Sequence, residues 1–261
     1  MYYNTKGVIM KKYKGFSFLG VAIGVVVVAL LGLATFAVID ANNRAVNFED
    51  YDFNTVIEAN DDNGNIGDHV KGSADAPVLI FEYADFQCPG CASINSRVNK
   101  VVEQLEGKLA IVYRSFLLSY HQNGTAAASA AEAAGLQGYW KEYADKLFAE
   151  QSEWEYASAS DRGELFDKYF TEVTNGKGDL EKFNQDIESE AISKKISFDM
   201  GIGKRIDVAG TPAFYIDGQL ISWGSEGSVV VNGETISWDS ARSGDEFIKL
   251  IKDIVKAKLG E

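Results

Sequence analysis

The chain has 261 residues, 46% of them hydrophobic and 24% charged, a balance that suits one globular domain of roughly 200 residues plus an added segment. Its net charge is −13, and all 38 acidic residues lie from Asp40 onward. So acidic a surface excludes nucleic acid as a partner, because binding a phosphate backbone takes basic patches. The chain also lacks a Walker loop, a G-x-G-x-x-G, an H-E-x-x-H and any internal repeat.

Residues 1–14 are polar and basic, with Lys6, Lys11, Lys12 and Lys14, and Met10 offers an alternative start. Gly15 to Ile39 is 25 residues without a charge. As a helix it would span roughly 37 Å, enough for a hydrocarbon core of ~30 Å. It exceeds the apolar region of a cleavable signal, although Ala34 to Ala37 leaves cleavage open. The expectation is one transmembrane helix over 15–39 in the cell membrane. Lysines before it and acids after it predict a cytoplasmic N-terminus and an extracytoplasmic domain.

Residues 40–67 are rich in Asp and Asn and read as a stalk, with a short edge strand near Tyr51–Val56. Asp61-Asp62-Asn63-Gly64-Asn65 is a poor match to a calcium loop, since Ile66 and Gly72 fall where glycine and glutamate are needed. His69 reads as a surface residue near the first strand rather than a catalytic one. Val78-Leu79-Ile80-Phe81-Glu82-Tyr83 is a nearly unbroken apolar run, the mark of a buried parallel strand.

Cys88-Pro89-Gly90-Cys91 follows and holds both cysteines of the chain. Ile94, Val98, Val101, Val102 and Leu105 then recur at helical spacing, so the pair stands where a central strand turns into a helix. Pro89 suits the first helical position. Cys88 then faces unpaired N–H groups and the positive end of the macrodipole, which favours the reactive thiolate. Two other readings compete. Half a zinc site would need His69 and His121 to complete it, and neither has finger-like spacing. A structural disulfide closing so short a loop would stabilise little. Redox chemistry is the reading that a C-x-x-C at this junction favours.

Leu109 to Phe116 predicts a second core strand, parallel to the first. From Thr125 to about Arg205 the chain is helical and free of proline, and its aromatic stripes read as core. Ala213 to Ile216, Asp217-Gly218 and Gln219 to Ile221 predict a hairpin. A second one turning at Asn232-Gly233 is expected to extend the sheet edge. Ser243 and Glu246 form a capping box before a last amphipathic helix that covers the sheet. Gly210-Thr211-Pro212 precedes the third strand. A cis bond there would leave the Thr211 backbone free to pair with an extended peptide, and spacing alone leaves cis and trans equally open.

Asp68-His69-Val70-Lys71-Gly72, then Phe81-Glu82-Tyr83-Ala84-Asp85-Phe86-Gln87-Cys88-Pro89-Gly90-Cys91, then Gly210-Thr211-Pro212-Ala213-Phe214 resemble the DsbA-like thiol:disulfide oxidoreductases, especially the membrane-anchored bacterial forms. The resemblance covers roughly residues 68–260. It implies an α/β thioredoxin fold with a helical insertion at about 120–205 and a cis Thr211–Pro212 bond. By position it makes Cys88 the exposed nucleophile, Cys91 the buried resolving thiol and Pro212 the proline that holds substrate. It also places Glu82 where the family has a buried acid. Read from the residues, Glu82 is the one charge in an apolar strand. Buried near the dithiol it would have a raised pKa suited to proton transfer; at the strand end it would be solvated. The best-known members carry histidine between the cysteines. Here Pro89 and Gly90 leave the helix N-terminus and backbone N–H groups as stabilisers, worth ~0.3–2 kcal/mol.

The function expected is an extracytoplasmic enzyme that introduces disulfides into exported proteins and is reoxidised by a DsbB-like membrane partner, with no metal or organic cofactor. A reductase or isomerase of the same fold, and an anchored binding module without turnover, are the alternatives.

Overall fold

The computed structural model describes residues 46–222, 225–239 and 243–261. The expected cytoplasmic tail and transmembrane helix lie outside them. Among the described residues no helix is long and apolar enough to cross a membrane.

Residues 48–261 form one compact unit. At its centre β2 (Val78–Ala84) and β3 (Leu109–Ser115) run parallel, joined by α1 (Pro89–Gln104). β1 (His69–Lys71) pairs antiparallel with β3. On the other side β4 (Ala213–Ile216) pairs antiparallel with β2, and β5 (Gln219–Ile221) with β4, so the order is β1-β3-β2-β4-β5. The apolar run of β2 is explained by its central place, with a strand on either side. α8 (Gly244–Leu259) starts at the predicted capping box and ends on a left-handed Gly260. With α1 it covers one sheet face, packing Ile94, Val98, Phe247, Ile251 and Ile254 onto Ile80, Ile111 and Phe214.

Between β3 and β4 lies the helical insertion: α2 (Gly124–Gly135), α3 (Trp140–Ala149), α4 (Gln151–Trp154), α5 (Ala159–Val173), α6 (Leu180–Ile187) and α7 (Glu190–Arg205). Its aromatic stripes form a second core with Tyr143, Trp154, Phe170 and Phe183 fully buried. Phe86, Cys88, Cys91 and Tyr113 join this second core, so the dithiol sits where insertion and sheet meet.

Four expectations are corrected. Residues 48–67 are not a stalk but pack on the domain. Phe48 lies 5.5 Å from Phe198 between ring centroids, and Ile57, Asn63 and Ile66 are buried. The polar residues that suggested a stalk bond their own backbone instead: Asn60 Oδ1 accepts the Asp62 N–H and Asn63 Nδ2 donates to the Glu58 carbonyl. Tyr51–Val56 forms turns, not a strand. Arg114 fastens this arm by donating to the carbonyls of Phe53 (2.8 Å) and Thr55 (2.9 Å).

The second hairpin, β6 (Gly227–Val231) and β7 (Glu234–Trp238), makes a sheet of its own. Val229 and Val231 turn into the core, while Val230 is linked to β5 only through the Gln219 side chain, which donates to its carbonyl and accepts its N–H. Lastly, His69 is half-buried rather than free at the surface. Its ring is stacked on Trp140, with centroids 4.2 Å apart, and pairs with the buried Glu132 at 2.7 Å.

Candidate active site

Cys88 occupies the N-cap of α1 in extended conformation (φ −76°, ψ 120°), with Pro89 at the first helical position. Its N–H donates to the Asp85 carbonyl at 3.0 Å, and its own carbonyl accepts from Ala92 at 3.1 Å. Both cysteines are free thiols. Cys91, one turn into the helix, has no exposure, whereas Cys88 keeps 7%.

The Thr211–Pro212 peptide is cis and brings the loop before β4 against the dithiol. Cys88 Sγ as a thiol donates to the Thr211 carbonyl at 3.3 Å. A Cβ on Gly90 would stand 3.1 Å from Pro212 Cδ, so only glycine lets α1 approach the proline this closely without adjustment. A cavity of about 340 Å³ continues from Thr211 and Pro212 along Tyr215, Leu220 and Ile221.

The two thiols are held apart electrostatically. Cys88 is lowered to about 5. The largest cause is the hydrogen bond from the Cys91 thiol; burial opposes it, and the Thr211 side chain and the N–H groups of Cys91 and Gly90 add to it. The Thr211 hydroxyl is buried and has no other partner, so its proton is available to the thiolate. Backbone donors at the helix N-terminus, expected as the main stabilisers, therefore rank behind the neighbouring thiol. Cys91 is pushed well above the ordinary thiol value, chiefly by burial.

Glu82 is buried at 1% exposure, in register with Tyr113 on β3 and Phe214 on β4. The solvated reading is thus set aside. Burial raises its pKa, the Lys71 charge opposes that rise, and Oε2 has no hydrogen-bond partner. Lys71 was legible only as part of a motif. It reaches Asn95 Oδ1 (2.5 Å) and Asp145 Oδ1 (3.7 Å). Asn95 and Asn99 both donate to Asp145. Cys91, Asn95 and Asn99 are spaced i, i+4, i+8, a polar stripe on α1 that the sequence displays.

Amide and carboxylate side chains also hold the turn before Cys88, and sequence reasoning missed them. The buried Asp85 carboxylate accepts from the Gln87 and Leu118 N–H groups (2.9 Å each) and pairs with His121 Nδ1 at 2.8 Å. Gln151 donates to the carbonyls of Phe86 and Cys88. The histidines a zinc site would require are thus engaged elsewhere. Among the described residues no group of three or more His, Cys, Asp or Glu side chains is placed to hold a metal.

The family model described as thioredoxin matches residues 64–253. The chain belongs to the thioredoxin family. A double variant of alpha-DsbA1 from Wolbachia pipientis is 25% identical, covering 74% of this chain and 93% of that one, with a TM-score of 0.54. Oxidised BdbD from Bacillus subtilis shares the fold at 18% identity, covering 78% of this chain and all of that one, with a TM-score of 0.56. At 25% identity the likeness is to a DsbA protein. A curated relative, Na(+)/H(+) antiporter NhaA 1 of Mycolicibacterium gilvum, is 33% identical over 155 residues, 58% of this chain. The match spans about a quarter (24%) of that protein's length.

Proposed function

We propose that this protein is a thiol:disulfide oxidoreductase that works outside the cytoplasm, held in the cell membrane by residues 15–39, and forms disulfides in exported proteins through Cys88 and Cys91. The observation that carries this reading is the dithiol's place, with Cys88 at the N-cap of α1 and 3.3 Å from the Thr211 carbonyl beside the cis Pro212. That arrangement lowers Cys88 to about 5, while burial raises Cys91. A thiolate that stable is a good leaving group, and its stability favours the reduced enzyme, hence oxidation of the substrate.

A substrate thiolate attacks Cys88 Sγ of the oxidised pair. The Cys88–Cys91 bond breaks and its electrons leave on Cys91, which takes a proton from Glu82. Thr211 and Pro212 hold the substrate chain while its second thiolate attacks the mixed disulfide and expels Cys88 as a thiolate. Pro89 starts the helix behind Cys88, and Gly90 allows the close contact with Pro212. A DsbB-like membrane partner then reoxidises the dithiol. These steps need no metal or organic cofactor.

The test is the reduction potential of the full chain in detergent, equilibrated with glutathione. A value near about −120 mV supports an oxidase, and one near about −270 mV makes the protein a reductant. If Cys88→Ser leaves thiol–disulfide exchange at its original rate, the redox reading fails altogether.

A further inference from the structure

On two loops bonded to the turn before Cys88, the surface carries two bare rings. Tyr156 is 87% exposed and Tyr120 72%, more than any other large apolar side chain among the described residues. Their loops are fixed to the turn before Cys88. Gln87, the residue preceding Cys88, donates to the Glu155 carbonyl at 2.7 Å and accepts the Asn123 N–H at 2.6 Å. Asn123 Nδ2 in turn donates to the carbonyls of Trp154, Glu155 and Ala157. On the other loop His121 is pinned to Asp85, and Tyr120 stands edge-on against it at 4.6 Å. Loops whose backbones are held this firmly lose little entropy when a partner meets the rings they carry.

The charge along the Tyr156 loop is mostly negative, although Glu150 is paired with Lys146 at 3.1 Å. Between residues 150 and 164 the chain has Glu150, Glu153, Glu155, Asp161 and Glu164 against a single cation, Arg162, which donates to Asn123 Oδ1. An aromatic face in an acidic field suits a guanidinium or ammonium group.

We infer that Tyr156 and Tyr120 form a docking edge for substrate segments with Lys or Arg a few residues from the reacting cysteine. The inference rests on the oxidoreductase reading above and adds the class of substrate.

The experiment uses the full chain in detergent and two dithiol peptides of the same length, one with arginines flanking its cysteine and one with glutamates. The arginine peptide should be oxidised with the higher kcat/KM, and the preference should shrink with added salt. The double variant Tyr120→Ala, Tyr156→Ala should lose about five- to thirty-fold on the arginine peptide and little on the glutamate one. Tyr156→Phe should keep the preference because it keeps the ring. Indifference to flanking charge, or an equal loss on both peptides, overturns the docking edge alone. Failure to oxidise either peptide overturns the oxidoreductase reading and the docking edge with it.

Discussion

Cys88 Sγ and the Thr211 carbonyl oxygen stand 3.3 Å apart, joining two segments separated by 123 residues. The nucleophile and the backbone that would hold its substrate are thus in contact before any substrate arrives. The same contact puts the otherwise unpaired Thr211 hydroxyl beside the sulfur.

The Cys88 thiolate should show itself by its absorbance, rising with a midpoint near pH 5. A lowered folded-state value means the group stabilises the reduced fold above the ordinary thiol range and loses that contribution as pH falls through about 5. The stability of the reduced protein relative to Cys88→Ser should therefore grow between pH 5 and 8. Paired thermal melts across that range check it, and a flat difference would contradict it.

The Cys91 thiol is the largest single cause of that lowering. Cys91→Ala should raise the Cys88 midpoint by about one to two units, since a hydrogen bond to a charged group is worth ~1.5–3 kcal/mol. Cys91→Ser keeps a donor and should raise it less. Thr211→Val, which removes a smaller contribution, should also fall short of the alanine variant. Absorbance titrations of the three proteins rank the effects.

Much of this was legible. The C-x-x-C between an apolar run and a helical stripe located the site, and Asp217-Gly218 located the hairpin, whose two turn residues both have positive φ (48° and 73°). What was hidden depended on partners distant in sequence. Lys71 on β1 meets Asn95 of α1 and Asp145 of α3, a grouping no local pattern announces. Gln87, Asn123 and Gln151 are all buried in bonds around the dithiol turn, and no local pattern marks them. Composition misled at residues 48–67, where side chains that suggest solvent are spent on local backbone groups.

Asp68 should matter to stability more than to chemistry. It accepts from Arg114 at 2.7 Å and faces Lys195 at 3.4 Å, and Lys195 meets Asp199 at 2.7 Å, all four side chains being buried. Asp68→Ala leaves two buried cations against one anion and should cost about 3–5 kcal/mol. Because Asp68 is held below the ordinary carboxylate range by Lys195 and Arg114, against the opposing effect of burial, its contribution is present at neutral pH and fades on acidification. Denaturant melts at pH 7 and at a pH well below the ordinary carboxylate value of about 3.9 should show a smaller gap between variant and parent at the lower pH.

Glu82 has the opposite sign. Burial raises its pKa, and its unpaired Oε2 marks a carboxyl that the fold prefers protonated. A raised folded value means its contribution is intact below the unfolded pKa and is lost as pH climbs through the folded one. Glu82→Gln keeps the shape, removes the ionisable proton and should raise the melting temperature at pH 8 more than at pH 4. Exchange should respond differently, because glutamine cannot give a proton to Cys91 or take it back. The variant should lose about a hundred- to a thousand-fold in the step that forms or breaks the Cys91 bond, the lower part of the range for general acid–base catalysis. Rapid-mixing measurements of that step across pH separate the two effects. A Glu82→Gln protein that is more stable at pH 8 yet exchanges at the parent's rate would leave Glu82 a buried acid without a part in the reaction.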